Sequence, residues 1–196
     1  MTKRKLIDAG NPGTLIGQQT ADGIFIGRYV PKDREGNSLG KIFNVFAAPQ
    51  DLGGTVKYAD AVKNIAQLKN WHGFDGTDYA TDTDLYKALK EGSYNGGWII
   101  PTRDLLTGKD VDGRARQTGN LLAARDIGAL KDTFNTSPAR SATYFDWYWS
   151  CTEIRNTPNV IVLHLTNGYE SWDGKNGSRA SLRPVRLVDA LSPSRS

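Results

Sequence analysis

The strongest constraint in this chain is the order of its patterns: strand-like runs lie at both ends, with helical periodicity between them. Near the start, "IFIGRYV" (24–30) and "IFNVFAA" (42–48) are β-branched and aromatic. The intervening "PKDREGNSLGK" supplies the Pro, Asp, Gly and Asn of a hairpin loop. Near the end, alternation resumes at Trp147, "VIVLHLTNGYESW" reads as a hairpin turning at Asn167-Gly168, and "SLRPVRLV" reads as a last strand. Pro184 puts that strand at an edge or a bulge, because proline has no N–H to give to a ladder. Such a layout predicts an α+β fold with paired terminal strands and loops gathered at one end, rather than a helical bundle.

The middle of the chain carries two main helices. Tyr58, Val62, Ile65, Ala66 and Lys69 form one stripe over 56–70, with Thr55 as the expected N-cap. "FDGTDYATDTD" (74–84) is a loop that feeds a second helix near 85–90, starting at Asp82 or Thr83. In "NGGWIIPTRDLL" a turn precedes a short buried strand at 98–100, and Pro101-Thr102 opens a helical turn. The stretch 121–133 suits a helix interrupted by Gly128.

Composition narrows the function classes. The chain has 196 residues, enough for one well-filled domain, and its 21 Gly, five Trp and eight Tyr favour short strands and tight loops. A net charge of +4 is spread along the chain, and Lys3-Arg4-Lys5 is its one basic run. Phosphate binding needs a stripe of Lys and Arg, so no nucleic-acid partner is expected. No segment approaches the roughly 20 apolar residues of a membrane span, and the start lacks a signal-peptide apolar stretch. Cys151 is the sole cysteine, which excludes an intrachain disulfide and a two-thiol site.

Catalytic motifs are absent. Gly36-Asn-Ser-Leu-Gly40-Lys41 is one residue short of a phosphate loop and lacks the following Ser or Thr, so it reads as a hairpin loop. Asp110, Asp112 and the acids at 75, 78, 82 and 84 do not alternate as calcium ligands with a distal Glu; beside Gly they read as turn residues. His164 lies inside a strand, where a half-buried structural role fits, and His72 sits beside Gly at an expected helix end. Strand alternation groups Cys151 with Trp147 and Trp149, so it reads as a small buried hydrophobe rather than a nucleophile. Neither a metal, a cofactor nor an enzymatic activity is expected.

Taken in order, "GIFIGRY", "YADAVKNIAQL", "GGWIIPTRDLL", "YWSCTE", "LTNGY" and "LRPVRLV" form a larger pattern. It resembles the bacterial and phage domain family named for the C-terminal domain of the Legionella collagen-like protein, over roughly residues 23–188. The sequence departs from the family at Ile99-Ile100, Asp104-Leu105 and Cys151, each keeping size or polarity. The resemblance implies a C-type-lectin-like fold: small antiparallel sheets, two main helices and a loop-rich display region. Relatives include phage adhesins and formylglycine-generating enzymes; the enzyme chemistry needs paired cysteines, which this chain lacks. "TPN" at 157–159 and "WD" at 172–173 only faintly match the calcium-dependent sugar site of true C-type lectins.

On this reading the aromatic run "YFDWYWSCTE" (144–153) divides in two. Trp147 and Trp149 belong to the core. Tyr144, Tyr148, Tyr169 and Trp172 are candidates for a displayed face, joined by Asp173, Lys175, Asn176 and Arg179 on the Gly- and Ser-rich stretch 167–181. The competing reading makes these aromatics core fillers and the Asp-Gly and Asn-Gly pairs plain turns. The expected architecture is an N-terminal arm (1–20), a lectin-like domain (21–190) and a frayed tail (191–196).

The resemblance implies a non-enzymatic phage virion protein, made in the host cytoplasm and exposed on the particle as a capsid decoration, head fibre or tail-fibre tip. A virion protein needs neither signal peptide nor disulfide. Its expected partners are other virion proteins, bound through the basic arm, a host-surface glycan or protein, and further copies of itself, most simply a trimer. The alternative is an exported bacterial carbohydrate- or protein-binding module.

Overall fold

Strands β2 (Gly23–Tyr29) and β3 (Phe43–Ala47) pair antiparallel, as their β-branched and aromatic residues dictate. The structure is a computed structural model and describes residues 15–109, 119–130 and 147–191. The loop joining β2 to β3 is a hairpin connection. Lys32 bridges Ser38, the Asp33 carboxylate accepts the Asn37 N–H at 2.7 Å, and Gly36 takes a φ of 91°. A short edge strand, β1 (Gln19–Thr20), lies beside β2. On the other side of β3 runs β7 (Val185–Asp189), completing a sheet of order β1-β2-β3-β7.

The chain's last strand is thus paired with one near its start, and it forms a sheet edge just after Pro184. Pro184 still contributes its carbonyl, which accepts the Ala48 N–H at 2.9 Å. Leu182 and Leu187 are both buried there. Residues 17–20, which the sequence assigns to the arm, are tied into this sheet: Gly17 N–H donates to the Phe25 carbonyl and Phe25 N–H to the Gln18 carbonyl. The rest of the expected arm (1–14) and the tail from 192 lie outside the described residues.

A second antiparallel sheet of order β4-β5-β6 is built from β4 (Trp147–Glu153), β5 (Asn159–His164) and β6 (Tyr169–Gly174). Among the described residues four helices lie between the two sheets in sequence: α1 (Tyr58–Ala66), α2 (Asp82–Glu91), α3 (Arg103–Thr107) and α4 (Leu121–Asp126). The architecture is mixed α and β with antiparallel sheets and short helices, within the α+β class.

The starts of α2 and α4 follow local chemistry. The Thr81 hydroxyl accepts the Asp84 N–H to cap α2, which closes at Gly92 in the left-handed region (φ 75°). Asn120 caps α4 in the same manner, at 2.8 Å from Ala123 N. Thr55, by contrast, does not cap α1. Val56 exchanges both backbone hydrogen bonds with Ala180 at 3.0 Å, which holds it extended and delays the helix to Tyr58. Lys57 occupies the N-cap position without a side-chain bond, and α1 ends at Ala66, so His72 sits in a loop rather than at a helix terminus. The expected helix 121–133 stops at Asp126, ahead of Gly128 at φ 76°; residues 131–133 lie outside the described set.

Among the described residues two buried clusters form the core, with β4 contributing to both. Tyr148 packs in the first with Ile26, Val45 and Leu163; Trp149 and Cys151 pack in the second with Tyr58, Ile65, Trp98 and Val162. Alternation along β4 therefore holds, but both of its faces are covered. Its outer edge is covered too: Trp149 N–H donates to the Ser181 carbonyl and Cys151 N–H to the Pro101 carbonyl.

Candidate functional site

The β5–β6 hairpin is the element that carries exposed aromatic side chains. Its turn is set by local chemistry. Gly168 adopts φ 74°, its N–H donates to the His164 carbonyl at 2.9 Å, and the Asn167 side chain accepts the Tyr169 N–H at 2.9 Å. Full register extends from His164 opposite Tyr169 to Asn159 opposite Gly174. Among the described residues, Tyr169 (63% exposed) and Trp172 (62%) are the aromatics among the exposed large hydrophobic side chains.

Register separates these two rings. Residues three apart on a strand leave it on opposite faces. Tyr169 lies in a row with His164 and, on β4, Trp147, since each is the direct cross-strand partner of the next. The Trp147 ring meets His164 edge-on at 5.0 Å and Tyr169 at 6.0 Å between centroids. Trp147, expected in the core beside Trp149, is therefore only half-buried, at the end of its sheet. Trp172 faces the other way, opposite Ile161 and on the side of Glu170.

Glu170 ties this second face to α3. Arg103 grips it through Nε (3.2 Å to Oε1) and Nη2 (2.8 Å to Oε2), and Lys109 adds a third contact at 3.1 Å. Burial pushes the Glu170 carboxyl up, but Arg103 and Lys109 outweigh it and hold the group below its ordinary value. Nothing in the local sequence marks this partnership, because Arg103 lies in a different element.

The other candidates divide between anchoring and display. Tyr148 is fully buried and its hydroxyl donates to Asp51 at 2.7 Å, so it is not part of a displayed face. The reason is the second cover over β4, supplied by residues distant in sequence. Lys175 forms an ion pair with Glu153 and stands 5.6 Å from the Tyr58 ring centre. Asp173 accepts the Gly174 N–H at 2.7 Å, and the Arg179 guanidinium donates to the Thr55 carbonyl at 3.3 Å. These side chains fasten the loop after β6, while Asn176 is exposed. Tyr144 lies outside the described residues, as do Asp110 and Asp112.

Cys151 is buried, its Sγ 3.5 Å from the Ile100 carbonyl. Burial, with Asp82 and Asp104 nearby, pushes its thiol well above the ordinary value, which opposes thiolate formation. Asp82, one of the acids weighed as a calcium ligand, is buried against Arg34 at 2.5 Å. Among the described residues no three His, Cys, Asp or Glu side chains converge as a metal site would require. Comparison with family models and with curated proteins finds no match for the sequence.

Proposed function

We propose that the chain is a non-enzymatic phage virion protein that presents a C-type-lectin-like domain on the particle surface, with the β5–β6 hairpin as its contact element. The observation that carries this reading is the exposure of Tyr169 and Trp172 on one hairpin, in a domain whose Trp98, Trp149, Tyr29 and Tyr58 are buried. Exposed aromatics on a rigid support are the side chains that anchor partners and stack on sugars. The anchoring of the hairpin by Glu170, Lys175 and Arg179 fixes it before any partner arrives, which lowers the ordering cost of binding.

The lectin-like part of the proposal draws support from the pairing of β7 with β3, from the two longer helices α1 and α2, and from a separate sheet bearing the exposed hairpin. The buried thiol supports a binding role over one built on Cys151 chemistry. Attachment through the basic N-terminal arm and assembly as a trimer belong to the same reading.

Mass spectrometry of purified particles tests it: the protein is expected among the virion components. Its absence from particles, with secretion of the free domain instead, would favour an exported binding module.

A further inference from the structure

A cleft of about 610 Å³ opens in a part of the molecule where no lining residue comes from β4, β5 or β6. Its size lies in the range of small-molecule sites. One wall is the loop 70–75, the other is 94–97, and Asp22 and Arg186 close the base. We propose that this cleft binds a neutral polyhydroxyl ligand, a pyranoside in chemical class. The inference stands apart from the hairpin and does not rest on the proposed function.

Both walls are fixed in advance. Asn70 and His72 sit at φ 47° and Gly73 at 85°, a conformation that costs energy for the two non-glycine residues. It is held by the Asn70 N–H bond to Asp75 Oδ1 (2.9 Å) and by the Trp98 indole N–H, which donates to the Trp71 carbonyl (2.8 Å). The second wall packs onto the first through Gly97, where a Cβ would come within 2.6 Å of the Asp75 carbonyl and 2.7 Å of Thr77 Oγ1. No other residue type fits there.

This packing leaves two side chains half-committed. Asn95 Oδ1 accepts from the Gly97 N–H at 3.0 Å and the Thr77 hydroxyl at 3.1 Å, which orients the carboxamide and leaves its NH2 as a donor. Asp75 uses Oδ1 for Asn70, while Oδ2 lies 3.7 Å from the exposed Lys69 ammonium, a weak pairing in water. The cleft lining thus includes an oriented donor on Asn95 and an acceptor on Asp75. A sugar hydroxyl both gives and takes hydrogen bonds, so neighbouring hydroxyls of one ring satisfy both.

The remaining groups disfavour other ligand classes. Arg186 is already paired with Asp22 at 2.6 Å and donates to the Gly96 carbonyl at 2.8 Å, so an anion gains little from it and meets two carboxylates. A cation finds Asp75 with Lys69 beside it. A planar base finds the Phe74 face covered, since the Arg186 guanidinium lies 3.2 Å from that ring centre.

Titration of the full chain followed by amide NMR tests the proposal, using methyl glucoside, methyl galactoside and N-acetylglucosamine, with phosphate, spermidine and adenosine as charged and planar controls. At tens of millimolar, at least one glycoside should shift resonances at 70–75 and 94–97 and leave those of β6 unmoved. Asn95→Asp keeps both accepted bonds and removes the donor; Asp75→Asn keeps the Asn70 bond and replaces the acceptor. Each should weaken binding about tenfold or more with an unchanged melting temperature, while Trp172→Ala should have no effect. Silence of these resonances toward every glycoside, a response to the controls alone, or unaltered affinity in both isosteric variants would overturn the assignment. Glycoside shifts confined to β6 would also overturn it, and would support the hairpin instead.

Discussion

Tyr169 and Trp172 are equally exposed and only three residues apart, yet they leave β6 on opposite faces, Tyr169 beside Trp147 and Trp172 opposite Ile161. One flat ligand cannot stack on both. Trp172, with no ring contact of its own among the described residues, is the better anchor, and Tyr169 is partly held by Trp147. Trp172→Ala is expected to reduce attachment to cells or glycans about tenfold and Tyr169→Ala much less, each changing stability by under about 1 kcal/mol. Trp149→Ala is the contrast: its buried indole donates to the Val56 carbonyl at 2.8 Å, and its loss should cost about 3–5 kcal/mol. Binding assays and thermal melts on the three variants check both halves; equal attachment in Trp172→Ala and wild type would retire the hairpin as contact element.

A second expectation concerns the buried charges. Arg183 and Asp51 are paired at 3.0 Å with essentially no exposure, and Tyr148 donates to the other Asp51 oxygen at 2.7 Å. Removing one partner of a buried pair strands the other charge. Asp51→Ala should therefore destabilise by about 3–5 kcal/mol, whereas Tyr148→Phe, which loses one hydrogen bond to a charged group, should cost about 1.5–3 kcal/mol. Urea denaturation of the two variants ranks them; equal stabilities would mean that the Arg183–Asp51 pair adds nothing beyond the Tyr148 hydrogen bond.

That trio also shows where the sequence is legible and where it is not. The positions of β2 to β7, the start of α2 (read as Asp82 or Thr83) and the turn at Asn167-Gly168 are written in local chemistry. The two-residue β1, by contrast, falls in the stretch read as an arm, and the strand expected at 98–100 is reduced to single bridges of Trp98 to Gly76 and of Ile99 to Val185. Alternation correctly sends Tyr148 and Trp149 to opposite faces of β4. What it cannot say is that both faces are covered, because the cover of Tyr148 comes from Asp51, distant in the chain. Thr55 has the chemistry of a cap, but the bridge between Val56 and Ala180 is a tertiary event that overrides it. The hairpin aromatics were visible as types, while their separation onto two faces needed the register with His164 and Ile161. The cleft has no local signal, since Asn95 and Asp75 line it together only because Gly97 lets their loops approach.

Glu170 sets a third expectation, about motion. Its bonds to Arg103 and Lys109 join edge strand β6 to α3 and to the second residue beyond it. Both carboxylate oxygens are engaged and the Arg103 pair is only about one-seventh exposed, so solvent screening is partial. Glu170→Gln should lower global stability by about 1–2 kcal/mol and speed hydrogen exchange of the β6 amides bonded to β5 more than those of β3. Uniform acceleration in both strands would show that the contact stabilises the whole fold and not the hairpin.

The last expectation is a pH dependence centred on Asp104. Burial pushes its carboxyl up to about 6, against the opposing hydrogen bonds from Thr102 and the Leu105 N–H, and the nearby Asp82 charge pushes it further up. The folded chain therefore holds this proton more tightly than the unfolded chain. Between the unfolded value near 4 and the folded value of about 6, the native state binds more protons, so stability falls as pH rises through that window. The stabilisation present in acid is gone above the folded value and amounts to at most about 3 kcal/mol. Glu170, held low by Arg103 and Lys109, works in the opposite direction: it loses its contribution as pH falls. Burial of Asp82 outweighs Arg34 and raises that carboxyl, the same direction as Asp104. The whole-protein profile is thus a sum of opposed slopes, and the comparison that isolates Asp104 is with Asp104→Asn, which keeps an acceptor for the Leu105 N–H. Between pH 4.5 and 7.5 the wild type should lose stability relative to the variant by an amount on the order of 2 kcal/mol, read from urea midpoints at each pH. Parallel profiles for the two proteins would show that Asp104 does not change its proton affinity on folding.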